Sequence, residues 1–169
     1  MAWVQGFARF LDLVEADTRL GSAIGIQGNS FGGLFAVHLA AADPRVAAVL
    51  VNGAPASPIV PGFRSAREQM AAVVGTEDLD RVAEVMDGLR FGPHKHRIDC
   101  PLLVLHGGQD PLARYEDQEP FPHAAAPADR SVRVWPDGEH TLYNHATERN
   151  AFAGDRFTDH LIGQDTTNR

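Results

Sequence analysis

Gly28-Asn29-Ser30-Phe31-Gly32-Gly33 is the stretch on which the reading of this 169-residue chain turns. It follows Ala23-Ile24-Gly25-Ile26-Gln27, a short apolar run that reads as a buried strand. It leads into Phe31 to about Ala42, a segment with few breakers that reads as a helix ended by Asp43-Pro44. A serine between strand and helix, with glycine two residues to either side, fits a nucleophile elbow. The requirement is steric. The serine backbone takes a strained turn so that its hydroxyl stands clear of the sheet, and side chains at Gly28 and Gly32 are expected to collide with the neighbouring strand and helix. The helix starting at Phe31 aims its N-terminal dipole and N–H groups at the site, which makes the Phe31 N–H the expected first oxyanion donor. A glycine-rich phosphate cradle is the competing reading of such a turn. The Gly-Lys-Ser or Gly-Lys-Thr of a Walker loop is absent.

Outward from the elbow, the chain alternates. Trp3, Val4, Phe7, Phe10, Leu11 and Val14 recur at helical spacing, with Gly21 as a stop. Val46 to Val51 reads as a second strand buried on both faces, closed by Asn52-Gly53-Ala54-Pro55. Residues 57–98 read as a helical insert that could form a small cap. Ala66 to Val74 is its first helix and stops at Gly75. Thr76 caps a second, with Glu77 and Asp78 in its first turn and Leu79, Val82, Val85, Met86 and Leu89 as an apolar stripe. Leu102 to Leu105 is the third strand. Asp110 to Arg130, with four prolines, is loop with at most short helix. Val132 to Trp135 is the fourth strand, a last helix runs from about Thr147 to Ile162 with Gly163 at its end, and 165–169 is a tail. Alternating strands and helices imply a mostly parallel sheet covered on both faces, within one α/β domain spanning residues 1–169. Sites in such sheets sit at the carboxyl ends of the strands.

Composition narrows the function classes. Hydrophobic residues make up 44% and charged residues 22% of the chain, an ordinary soluble balance that argues against disorder. Fifteen basic against 22 acidic residues give a charge of −7, and no dense basic run exists, so nucleic-acid binding is not expected. No apolar run approaches the roughly 20 residues of a membrane span, and the first residues lack a secretory pattern. The lone Cys100 excludes an internal disulfide, reads as a small buried apolar residue and makes a reducing, cytoplasmic location the expectation. His94 with His96, and His140 with His145, lack a cysteine or carboxylate cluster, so no metal is expected. His38 and Trp135 read as packing residues.

Two further strand ends carry chemistry. His106-Gly107-Gly108-Gln109-Asp110-Pro111 follows the third strand, and Asp110 can orient a histidine there. Pro136-Asp137-Gly138-Glu139-His140 follows the fourth and offers His140 as the base. Asp137 and Glu139 flank that histidine, but adjacency in sequence points side chains apart, and Asp110 is the preferred acid. Singly, Asp110 reads as a turn residue and His140 as a surface or packing group. The order Ser, Asp, His, each after its own strand, belongs to one architecture. Phe31, Ala54, Pro55, Leu112 and Tyr143 follow strand ends and are candidates to line an acyl pocket.

On these motifs, from about Ala23 to Ile162, the chain resembles the C-terminal half of an α/β-hydrolase. Within that superfamily it is most similar to bacterial dienelactone-hydrolase-like, prolyl-oligopeptidase-like and FrsA-like esterases, including pseudooxynicotine-type C–C hydrolases. That finer likeness rests on Ala42-Asp43-Pro44-Arg45-Val46, the helical insert, and Ile98-Asp99-Cys100-Pro101 before the acid strand. The resemblance implies a serine hydrolase acting on a carboxylic ester or similar small acyl substrate. Ser30 attacks, His140 transfers the proton, Asp110 orients His140, water cleaves the acyl-enzyme, and no cofactor is needed. An acyltransferase or C–C bond hydrolase on the same three residues is the nearest alternative. The family has about four strands before its elbow, and they carry the second oxyanion donor. Here the elbow comes at Ser30, and His106-Gly107-Gly108 copies the donor motif only in letters. The strand Ala23–Gln27 is therefore expected to lie at an exposed apolar edge, which invites pairing with a second copy. A late start codon, a fragment, or a truncated protein that dimerises or rearranges to cover the edge would each account for this, and a non-catalytic fragment or self-associating module is the other functional alternative.

Overall fold

The computed structural model describes residues 2–60 and 62–162. Pro61 at the head of the insert, the helix stop expected at Gly163 and the expected tail lie outside the described residues. Four strands, β1 (Ile24–Asn29), β2 (Val46–Asn52), β3 (Leu102–Gly107) and β4 (Arg130–Trp135), pair in sequence order, and every pairing is parallel. The first three strands run one or two residues past the apolar runs that announce them, and β4 begins two residues before its run. The ladder bonds continue through Asn29, Asn52 and Gly107 at the carboxyl rim.

Helices cover both faces. Helix α1 (Ala2–Ala16) and α2 (Phe31–Ala42) lie on one, with α3 (Arg64–Val74) and α4 (Leu79–Gly88) from the β2–β3 connection and the short α5 (Tyr115–Gln118) and α6 (Pro120–Ala124) from the β3–β4 connection. Leu34, Val37, Val49, Val51, Met86, Leu102, Val104 and Phe121 are packed there in one core. On the other face α7 (Ala146–Phe157) and the π turn Thr158–Ile162 close over Leu50, Leu103, Leu105, Trp135 and Leu142. Alternate residues of β3 thus serve opposite cores, as the two-residue period of a strand requires. Burying each of these side chains contributes about 1.5–3 kcal/mol.

The edge strands differ from the inner ones. β2 and β3 are buried nearly throughout, whereas β1 is half-exposed and Val132 and Val134 of β4 are exposed. Among the described residues, β1 pairs only with β2. The face expected for α1 is buried only in part. Leu11 is 3% exposed, but Phe7 and Phe10 are 45% and 61% exposed, because the helix rests on α2 along the Trp3–Phe35 contact and turns these rings outward. Arg45, inside the Ala42–Val46 phrase, fixes the other end of α1. Its guanidinium donates to Asp12 at 2.6 Å, Glu15 at 3.0 Å, the Ala8 carbonyl at 3.0 Å and Asp43 at 2.6 Å.

The insert forms the two expected helices with one correction. Asp78, not Thr76, caps α4: its carboxylate accepts from the N–H groups of Asp80 and Arg81, while the Thr76 hydroxyl accepts from Asp78. A carboxylate at that position satisfies two otherwise unpaired helix donors. His38 of α2 is buried and donates Nε2–H to the Leu89 carbonyl at 2.9 Å, tying the end of the insert to the helix of the elbow. Burial holds its pKa below the ordinary histidine value. No described helix is long and apolar enough to cross a membrane.

Cys100 is buried where the insert joins β3, and burial pushes its thiol up to about 11. Since the thiolate is the nucleophile, the native protein at pH 8 is expected to resist iodoacetamide and to take one adduct only after unfolding. Mass spectrometry reads this directly, and a fast native adduct would contradict the packing.

Candidate active site

Ser30 sits between β1 and α2 at φ 52°, ψ −129°, a conformation rare for a residue with a side chain. Its N–H donates to the Asn52 carbonyl at 2.8 Å and its carbonyl accepts from Gly33 at 2.8 Å, which holds the turn. The glycines around it are not equivalent. A Cβ on Gly28 would lie 2.2 Å from the Gly32 carbonyl oxygen, and one on Gly33 would lie 2.8 Å from the Ala54 Cβ. A Cβ on Gly32 meets nothing within 4 Å. The steric need expected at Gly32 therefore belongs to Gly33, where α2 comes closest to β2. Phe31 opens α2, with Ser30 at the helix N-terminus, where the first N–H groups lack acceptors within the helix.

The loops after β3 and β4 bring two more side chains to this turn. His140 Nε2 lies 2.9 Å from Ser30 Oγ, and His140 Nδ1 lies 2.9 and 2.8 Å from the two Asp110 oxygens. A carboxylate only accepts, so Nδ1 carries the hydrogen toward Asp110, and Nε2 is left to accept from the Ser30 hydroxyl. Asp110 is itself fixed: its Oδ1 accepts from the N–H groups of Leu112 at 2.8 Å and Ala113 at 3.1 Å. Burial alone would raise the Asp110 pKa. The hydrogen bonds from His140, Leu112 and Ala113 outweigh it and hold the carboxyl below its ordinary value. Asp137 faces elsewhere, accepting from His145 Nε2 at 2.9 Å.

Three residues that carry no weight in the sequence reading complete the arrangement. Asn52 ends β2, fully buried, and its amide donates to Asn29 Oδ1 at 2.9 Å and to the Thr141 carbonyl at 2.8 Å. Arg149, on α7, donates to the same Thr141 carbonyl at 2.7 Å. Gly53 has φ +61°, and a Cβ there would stand 3.1 Å from Asp110 Oδ2 and 3.2 Å from the Thr141 nitrogen. Thr141 and Leu142, directly after His140, both have positive φ, 55° and 58°. Each such residue costs roughly 1–2 kcal/mol, so the His140 loop holds its shape against local strain. The one available signal in the sequence was an asparagine terminating an otherwise apolar strand before glycine.

The expected pocket residues scatter. Ala54, two residues past the end of β2, is a fully buried core residue packed against Gly33. Leu112 and Tyr143 are 52% and 71% exposed. Pro55 is half-buried. The Phe31 ring stacks edge-on to Phe35. A cavity of about 300 Å³ lies between α1, α2, α3 and α4, lined by Trp3, Phe35, Val74, Met86 and Leu89, and does not touch Ser30, Asp110 or His140. His96 stacks on Phe91 instead of joining His94, and no cluster of metal-ligating side chains occurs among the described residues.

No protein-family profile matches the chain, and no curated protein matches it by sequence. Solved structures do. The chain is similar to a 2,6-dihydroxy-pseudo-oxynicotine hydrolase, with 21% identity and a TM-score of 0.79, over 95% of this chain and 47% of that one. It is similar to an esterase from Pyrococcus furiosus, with 13% identity and a TM-score of 0.64, over 94% of this chain and 62% of that one. A meta-cleavage product hydrolase from Pseudomonas fluorescens IP01 matches with 17% identity and a TM-score of 0.69, over 94% of this chain and 71% of that one. The chain has the α/β-hydrolase fold in part, and it spans about half the length of the first of these neighbours.

Two outcomes test this geometry. Gly28→Ala is expected to lose about 1–3 kcal/mol or more through overpacking, whereas Gly32→Ala gains about 0.5–1 kcal/mol as a helix substitution; thermal unfolding by circular dichroism ranks them. The depressed Asp110 carboxyl contributes stability that is present above about pH 3.9 and is lost as the pH falls through its lower folded value. An Asp110→Asn variant is expected to unfold with a shallower acid dependence in that window, and an unchanged slope would contradict the assignment.

Proposed function

We propose that this chain supplies the catalytic half of a serine hydrolase that cleaves a carboxylic ester or similar small acyl substrate. The observation that carries the reading is the unbroken relay from Ser30 Oγ through His140 to Asp110, with spacings of 2.9 and 2.8 Å. As Ser30 Oγ bonds to the acyl carbon, His140 Nε2 takes the hydroxyl proton, and Asp110 stabilises the imidazolium. His140 returns the proton to the leaving alcohol as the carbon–oxygen bond breaks. Water then attacks the acyl-enzyme, giving its proton to His140, which passes it to Ser30 as the acid departs. The Phe31 N–H is the oxyanion donor this chain provides. An oxyanion donor elsewhere is worth about 10²–10³ in rate, so modest turnover by this chain alone fits a site with one.

Two alternatives have an observation behind them. The similarity to a 2,6-dihydroxy-pseudo-oxynicotine hydrolase keeps open hydrolysis of a bond other than an ester, a C–C bond included, on the same three residues; product analysis distinguishes it from ester cleavage. The half-exposed β1 edge, with the exposed Phe7, Phe10 and Leu13 of α1, favours a self-associating, non-catalytic module. That reading requires a dimer in sedimentation and no ester turnover above a Ser30→Ala control.

A fluorophosphonate probe is expected to label Ser30 in the native chain, and Ser30→Ala is expected to abolish labelling. Labelling that survives the substitution would place the nucleophile elsewhere.

A further inference from the structure

Asn52 bonds to Ser30 and to the residue that follows His140. Its backbone carbonyl accepts from the Ser30 N–H at 2.8 Å, and its side-chain amide donates to the carbonyl of Thr141, the residue after His140, at 2.8 Å. Its neighbour Gly53 donates to the Leu105 carbonyl at 3.1 Å, on the strand that leads to Asp110. One dipeptide at the end of β2 is thus bonded toward all three loops. The Thr141 carbonyl fixes the orientation of the amide, because only the –NH₂ end can donate to it. Both amide hydrogens are then used, the second on Asn29 Oδ1 at 2.9 Å, while Asn52 Oδ1 finds no partner among the described residues.

A fully buried amide with an unpaired acceptor is a poor choice for packing alone, where an apolar side chain of the same size does better. Its polarity makes sense through what it donates to. Arg149 donates to the same Thr141 carbonyl at 2.7 Å from the far side of the sheet, so the peptide after His140 is gripped from β2 and from α7. That peptide lies next to the positive φ of Thr141 and Leu142. A backbone in that region relaxes toward commoner angles when released, and any relaxation swings the His140 ring away from Ser30.

We propose that Asn52, with Arg149, is a positioning residue for the Ser30–His140 pair, clamping the Thr141 carbonyl so that the imidazole meets the hydroxyl at reacting distance. The proposal rests on the hydrolase reading above. It differs from a purely structural role because it predicts a change at His140 itself. In general, a misplacement of about 1 Å costs about 10²-fold in rate.

The test uses the whole chain and three variants: Asn52→Leu, which keeps size and removes both donors, Arg149→Met, and Arg149→Lys, which retains a donor. Two measurements are made, the rate of fluorophosphonate labelling at Ser30 and the downfield proton resonance of the His140 Nδ1–H bonded to Asp110. Asn52→Leu is expected to label to the same final extent but about 10²-fold more slowly, with the downfield resonance broadened or lost. Arg149→Met is expected to shift both in the same direction, and Arg149→Lys to restore them in part. Wild-type rate and resonance in Asn52→Leu would overturn the proposal, as would a slower rate with the resonance intact. If Asn52→Leu does not fold, Arg149→Met carries the same comparison, and wild-type values there overturn the clamp. A native chain that never labels would sink the hydrolase reading, and the resonance then decides the clamp by itself.

Discussion

Parallel pairing of four strands in sequence order is the constraint on which everything else depends. Because β1 to β4 all run the same way, every turn that leaves the sheet at its carboxyl rim leaves it on one side. Ser30, Asn52, Asp110 and His140 are therefore delivered to one place from four separate positions in the chain. The apolar cores on either face set the register, and the register sets the rim.

Much of this was legible in the residues. Ala23–Gln27, Val46–Val51, Leu102–Leu105 and Val132–Trp135 are apolar runs bounded by breakers, and each contains most of a strand, with Ala23 left outside β1. The Gly–x–Ser–x–Gly pattern marked the turn because a strained backbone and a close strand–helix approach restrict residue choice so tightly. The pattern was right about the turn and wrong about one of its glycines. Two residues on from serine the helix surface is open, and the crowding falls one position later, where α2 meets Ala54. A one-letter motif records spacing, not which of two adjacent glycines touches the neighbouring layer.

What stayed hidden has a common cause. Asn52 and Arg149 act on a backbone carbonyl 89 and 8 residues away. A carbonyl exists at every position, so no side-chain pattern announces that one of them is a target. The left-handed pair Thr141–Leu142 was equally silent, since neither residue type favours that conformation and only the surrounding contacts impose it. The outward turn of Phe7 and Phe10 was missed for a different reason. Helical periodicity gives the phase of an apolar face but not how much of that face a neighbour covers.

The insert between β2 and β3 leaves the sheet just beyond Asn52 and Gly53 and returns through Ile98 and Cys100, below the rim. The bonds that anchor it, among them Phe91 N–H to Ala56, Ile98 N–H to Ala124 and His38 to Leu89, involve none of Ser30, Asp110 and His140. Its two helices can accordingly be lengthened, shortened or exchanged while the hydroxyl, imidazole and carboxylate keep their places. Such an arrangement uncouples two parts of one sheet: the segment hung between β2 and β3 and the cluster at the rim rest on separate contacts, so a change of length in the first is not transmitted to the second.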